Sequence, residues 1–177
     1  MKSAKNLKIR GKKLKIEKEW KEWQFKITFL EDQISKLHQL KDFPIFSIAL
    51  FLLRTQFIEW KLKLLIMRLD LYLSFSHPSK ILSVRVRTPR EMSNERWTLG
   101  RVIKELNEYE GEVLQALQTE CKKLVDLRNY FTHGIFNPGN IEDLIKKANE
   151  GLKIVDEVIK EIEKVNTFLN QNDPLKK

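Results

Sequence analysis

Residues Ile141–Leu169 read IEDLIKKANEGLKIVDEVIKEIEKVNTFL. Ile141, Leu144, Ile145, Ala148, Leu152, Val155, Ile159, Ile162 and Leu169 recur at helical spacing, the stripe that an α-helix presents to a core. The other face sets Glu142 before Lys146 and Asp156 before Lys160, opposite charges four residues apart that steady a helix. Asn140 stands where an N-cap belongs, and Glu142 and Asp143 occupy the first turn, where carboxylates meet the positive end of the helix dipole. This helix needs partners with matching apolar faces, and the rest of the chain supplies them.

Immediately upstream, Gly134-Ile135-Phe136-Asn137-Pro138-Gly139-Asn140 is a turn. It follows a helix predicted from about Gly111 to about Phe131, with the seam Leu114, Leu117, Cys121, Leu124. A shorter helix is expected from about Trp97 to Tyr109. Residues 78–96 are the least helical part: Ile81–Arg87 alternates like a short strand, and Pro89 closes it. Phe43–Phe75 reads as a long helix, apolar almost all round in its first half and therefore deeply buried, ended by His77-Pro78-Ser79. Unbroken it would be about 45 Å long, so a kink is expected. From Glu19 to Leu40, Trp20, Trp23, Ile27, Leu30, Ile34 and Leu37 form one helical face, and Asp42 and Pro44 punctuate the chain after it. The sum is an all-α bundle of about five helices running up and down.

Composition agrees with one domain. The chain has 177 residues, 42% hydrophobic and 32% charged, with only 6 Gly and 5 Pro, which excludes collagen-like and wholly disordered chains. One cysteine, Cys121, excludes an internal disulfide framework and a four-cysteine zinc site. Three histidines (His38, His77, His133) make a metal cluster unexpected. No cofactor is expected.

The net charge of +9 is unevenly placed. Of 33 Lys/Arg and 24 Asp/Glu, eight bases and one acid fall in residues 1–18, giving that arm +7 and leaving 25 bases and 23 acids for residues 19–177. A basic arm attracts polyanions, nucleic acid before anionic membrane. The alternation of Leu7, Ile9, Leu14 and Ile16 around Gly11 fits a small hairpin or a disordered terminus. The arm lacks an apolar signal core and a large apolar face, and the most apolar run, Phe43–Leu53, is 11 residues long, where a membrane span needs roughly 20. The expectation is a cytoplasmic protein without membrane contact.

Chemistry concentrates where the fourth helix closes. Continuing the seam from Leu124 reaches Arg128, and a guanidinium at a core-facing position is costly unless paired. Asn129, Tyr130, Phe131, Thr132, His133 and Gly134 follow. Asn129 and His133 share a face, while Arg128 and His133 lie five residues apart, about 140° around a regular helix. They converge if the arginine reaches over, or if the backbone leaves α geometry before Gly134.

Arg128-Asn129-x-x-x-His133 resembles the R-x4–6-H signature of HEPN domains, helical bundles in which an asparagine often follows the arginine. The leucine-patterned approach Leu124-Val125-Asp126-Leu127 and the amphipathic helix after the motif resemble the family's setting, as does Trp97–Ile103 before it. The resemblance implies a HEPN-like bundle over residues 19–177 and a metal-independent endoribonuclease, often a toxin or defence effector. It also implies a homodimer and, for a toxin, an antitoxin partner. By the same resemblance His133 is a general acid or base in attack of a ribose 2′-hydroxyl on the adjacent phosphate. Arg128 binds the phosphate and stabilises the developing charge, and Asn129 orients either group. The products are a 2′,3′-cyclic phosphate and a 5′-hydroxyl.

The family often adds an acidic residue from an earlier helix. The candidate is Glu59, on the face Ile45, Ile48, Leu52, Gln56, Glu59; a buried carboxylate wants a cation, and Arg128 is expected to meet it. Arg85, Arg87 and Arg90 in the loop, and Lys12 and Lys13 in the arm, are candidate RNA contacts; the loop serves equally as a solvated connector. The competing reading is a non-catalytic helical module that binds a protein or nucleic acid, with Arg128 and His133 structural. The four tryptophans, Trp20, Trp23, Trp60 and Trp97, read as packing anchors.

Overall fold

The structure, a computed structural model, describes residues 2–37, 45–75, 82–84, 98–134 and 141–172, with side chains from Trp20 onward in the first helix and as far as Phe131 in the fourth. Five helices are present among them: α1 (Lys2–Leu37), α2 (Phe46–Phe75), α3 (Leu99–Leu106), α4 (Glu112–Gly134) and α5 (Ile141–Gln171). The two-residue strands β1 (Ser83–Val84) and β2 (Tyr109–Glu110) pair antiparallel, Ser83 opposite Glu110 and Val84 opposite Tyr109. The fold is an all-α bundle.

Because α2 is apolar on nearly every side, it lies at the centre. One side takes Trp23, Ile27 and Leu30 of α1 against Phe57, Trp60, Leu64 and Met67. The other sets Phe51, Ile58, Leu62, Leu65 and Leu69 into the main core with α3, α4 and α5. Each such side chain, fully buried, contributes roughly 1.5–3 kcal/mol.

Paired residues give the direction of α5. Phe51 meets Gly151, Arg54 meets Asp156, Arg68 donates to Asn166 and Asn170, and Tyr72 stacks near Phe168. Both numbers rise together, so α2 and α5 are parallel neighbours. Helix α4 runs against them: Phe131, near its end, stacks on Phe51 near the start of α2, with ring centroids 5.0 Å apart. Direction thus alternates from α2 to α4 to α5. Gly111 connects β2 to α4 at φ 147°, a backbone region that side chains rarely tolerate, and its carbonyl accepts the Leu114 amide at 3.0 Å to open α4.

The hairpin reading of the arm is corrected. Residues from Lys2 onward continue the helix that carries Trp20 and Trp23. Gly11 costs such a helix about 1 kcal/mol, while the surrounding Lys, Leu and Glu are strong helix formers. The short strand expected within Ile81–Arg87 is present as β1. The turn at 135–140, His38 and His77, Trp97 and Pro89 lie outside the described residues.

Candidate functional site at the end of α4

Along α4, Leu114, Leu117, Cys121 and Leu124 are fully buried. Burial, with a smaller push from the Glu120 carboxylate, drives the Cys121 thiol from 9.0 up to about 12, so it is neutral core rather than a nucleophile. One step further along the seam Arg128 is half-buried and engaged by the fold around it. One turn on, Phe131 is wholly buried against Phe51. The motif is therefore pinned by an aromatic anchor on its inner side.

Its outer side is open. Asn129 is exposed, and Tyr130 is 38% exposed. Lys147, from the second turn of α5, sets its ammonium 3.6 Å from the centre of the Tyr130 ring, a cation–π contact. Tyr130 also meets the Phe131 ring edge-on. Sequence reasoning did not find the Tyr130–Lys147 pair, since nothing local ties residue 130 to residue 147.

Helix α4 continues to Gly134. The departure from α geometry before that glycine, one of the two ways for Arg128 and His133 to converge, does not occur, since the chain is α-helical through Gly134. His133 therefore sits on α4 four residues after Asn129, on the same face; its side chain lies outside the described residues. Arg128 and His133 are separated by about 140° and about 7.5 Å of rise. In angular order the arc runs Arg128, Thr132, Asn129, His133, less than half the circumference of the helix.

Glu59 does not complete this site. It is buried in α2, and its carboxylate accepts from the Lys63 ammonium at 2.7 Å, with the Lys63 side chain 3% exposed and that of Glu59 10%. Among the described residues this is its ion pair, and the expected meeting with Arg128 is corrected. A cation one helical turn away on the same element needs no reach across the bundle. Lys63 also lies 3.9 Å from the centre of the Trp60 ring, and Lys26 of α1 lies 4.3 Å from it. The i,i+4 spacing of Glu59 and Lys63 was the signal in the sequence that pointed to this pair. Trp23 and Trp60 pack together with centroids 6.2 Å apart.

Arg85, Arg87 and Arg90 lie outside the described residues, and Lys12 and Lys13 fall on α1, their side chains outside them too. A second polar contact that sequence missed joins distant elements: the Tyr109 hydroxyl donates to the Asp70 carboxylate, while the Gln118 amide donates to the Tyr109 and Leu106 carbonyls at 2.8 and 3.1 Å. Together they tie the α3–β2 corner to α2 and α4. Among the described residues no three His, Cys, Asp or Glu side chains gather as a metal site, and no helix is long and apolar enough to cross a membrane. No protein family, curated protein or solved structure matches the chain.

Proposed function

We propose that this chain is a metal-independent endoribonuclease of HEPN type whose reacting groups lie on the last two turns of α4. The observation that carries the reading is the arc on α4. A half-buried guanidinium, an exposed amide and an imidazole-bearing position occupy one side of a helix end that Phe131 anchors in the core. A phosphodiester laid across the arc is held by Arg128, whose planar fork suits phosphate oxygens. Asn129 hydrogen-bonds the same phosphate or the imidazole. His133 takes the proton of the ribose 2′-hydroxyl as that oxygen attacks phosphorus, and a proton returns to the departing 5′-oxygen. Charge on the pentavalent phosphorane is met by the guanidinium. A homodimer that presents two such arcs to one strand, in the cytoplasm and under control of an antitoxin protein, belongs to the same proposal.

A second reading has its own observation in support. Glu59 is spent on Lys63, and the 140° arc leaves Arg128 and His133 far apart on one chain, which suits a non-catalytic module that binds nucleic acid or protein. Incubation of the purified protein with end-labelled RNA in EDTA separates the two. The nuclease reading requires cyclic-phosphate products from the wild type and their loss in both Arg128→Ala and His133→Ala, with unchanged thermal unfolding. Absence of cleavage on any RNA, or equal cleavage by the variants, leaves the module reading.

A further inference from the structure

Lys147 of α5 has carboxylates at ion-pair spacing on its own helix, Asp143 four residues before it and Glu150 three residues after. It takes neither. Among the described residues Lys147 forms no ion pair, and its ammonium lies instead 3.6 Å from the centre of the Tyr130 ring on α4. An aromatic face holds a cation in place without neutralising it, and an ammonium has three N–H donors, so those turned away from the ring stay open to a ligand. Tyr130 is steadied in turn by its edge-on contact with the buried Phe131. A half-buried ammonium is thus pinned at one spot with its charge unmatched by any described carboxylate.

That spot borders the arc on α4. At 3.6 residues per turn Tyr130 follows His133 by about 60° around the helix axis and lies about 4.5 Å back along it. Arg128 closes the arc at its other end, and the side that holds Leu124 and Phe131 is buried. The open way around the helix end therefore runs from one cation, Arg128, past Asn129 and the position of His133, to a second, Lys147. Asp143 and Glu150, on either side of Lys147, disfavour a polyanion laid along α5 and leave the crossing over α4 as its path.

We infer that Lys147 is a second phosphate contact of this site, with Tyr130 as its positioning residue, so that the substrate class is a strand with a phosphate adjoining the scissile one rather than a dinucleotide. The inference rests on the nuclease reading for the scissile phosphate, which lies between Arg128 and the position of His133. A strand that continues along the arc brings its next phosphate to the ammonium. Cations at both ends of the arc suit the repeating charge of a polynucleotide, whereas a dinucleotide has only one phosphate to offer them.

Two measurements on the full chain test this. The first compares cleavage of a dinucleoside monophosphate with that of two trinucleoside diphosphates, each with a single ribose placed so that the extra phosphate adjoins the scissile one on one side or the other. One of the trinucleotides should have the lowest KM, and Lys147→Met should raise that KM roughly tenfold with little change in kcat while leaving the dinucleotide unaffected. The second follows binding of a fluorescein-labelled, all-deoxy single strand against salt, which needs no 2′-hydroxyl and no cleavage. Loss of one phosphate contact in Lys147→Met should make the slope of log K on log salt shallower by about 0.7, a change that a purely structural role would not produce. Lys147→Arg and Tyr130→Phe, which keep the cation and the ring, should retain the wild-type slope, and Tyr130→Leu should lose it. Lys160→Met, exposed far along α5, is the control. A wild-type slope in Lys147→Met overturns the inference, as does a KM rise shared equally by dinucleotide and trinucleotides, or failure of the wild type to bind the strand. Absence of cleavage with the slope change intact sinks the nuclease reading alone and keeps Lys147 as a phosphate contact of a binding module.

Discussion

Removing the ammonium of Lys63 should strand a carboxylate inside the bundle. In Lys63→Met the new side chain has similar length and keeps contact with the Trp60 ring through sulfur, so lost packing is small. What remains is Glu59, its side chain 10% exposed, without its 2.7 Å donor. Breaking one member of a buried pair costs about 3–5 kcal/mol. Set against a total stability of about 5–15 kcal/mol, that is a large share, and at about 2–4 °C per kcal/mol for a chain of this size it lowers Tm by about 6–20 °C. Glu59→Gln should cost a similar amount by leaving the ammonium buried without its counter-charge. The double variant, Glu59→Leu with Lys63→Met, should recover most of the loss, because an apolar pair of matching size removes both desolvation penalties. Urea unfolding followed by far-UV circular dichroism reads all three, with Glu163→Gln, exposed on α5, as a control expected within about 0.5 kcal/mol of wild type. A double-mutant cycle should find coupling between Glu59 and Lys63 and none between Glu59 and Arg128. Single-variant costs below about 1 kcal/mol, or coupling that falls on Arg128 instead, would refute the assignment of the pair.

Two further outcomes follow from the core. At Gly151 of α5 an added Cβ would run into the Phe51 ring, 2.7 Å from Cδ2 and overlapping Cε2, and that ring is backed by Phe131. Gly151→Ala gains about 1 kcal/mol of helix propensity but overpacks by about 1–3 kcal/mol; the melt should show net loss, and Phe51→Leu in the same chain should relieve part of it. Cys121 gives a pH signature. Its folded thiol is raised from 9.0 to about 12, so the stability tied to its neutral form is complete below pH 9.0 and is lost as pH climbs towards 12. Urea midpoints of wild type and Cys121→Ala should therefore draw together across that range, and a constant gap would contradict the burial of the thiol.

How much of this was legible depends on how far each signal reaches along the chain. Helix α5 was plain because its apolar residues repeat on one stripe and its charges on another, so one face has one fate. Helix α2 announced burial but not partners: apolar on all sides, it carries no phase that says which side meets α1 and which meets α5. The arm was misread because Leu7, Ile9, Leu14 and Ile16 alternate locally around Gly11, while the longer helical period that joins Ile9 and Ile16 to Trp20 and Trp23 is diluted by lysines. The extra length of Lys2–Leu37 made each added residue cheap, since helix growth needs no new nucleus.

The site shows the same division. Arg128 fell on the seam as the spacing of Leu117, Cys121 and Leu124 required, and half-burial agrees with that register. The partner given to Glu59 went wrong because two buried charges on different helices were matched by need alone, when α2 already carried a lysine one turn from Glu59. Local pairing costs little chain entropy and no rearrangement of packing, so it takes precedence wherever both are open. That precedence has a consequence for the nuclease proposal. With Glu59 held by Lys63, the proposal draws no acidic assistance to His133 from Glu59, and on one chain it rests on Arg128, Asn129 and His133. A pH–rate profile of RNA cleavage should then be unmoved in position by Glu59→Leu with Lys63→Met, a variant built to fold, whereas a shifted profile would bring Glu59 back into the site.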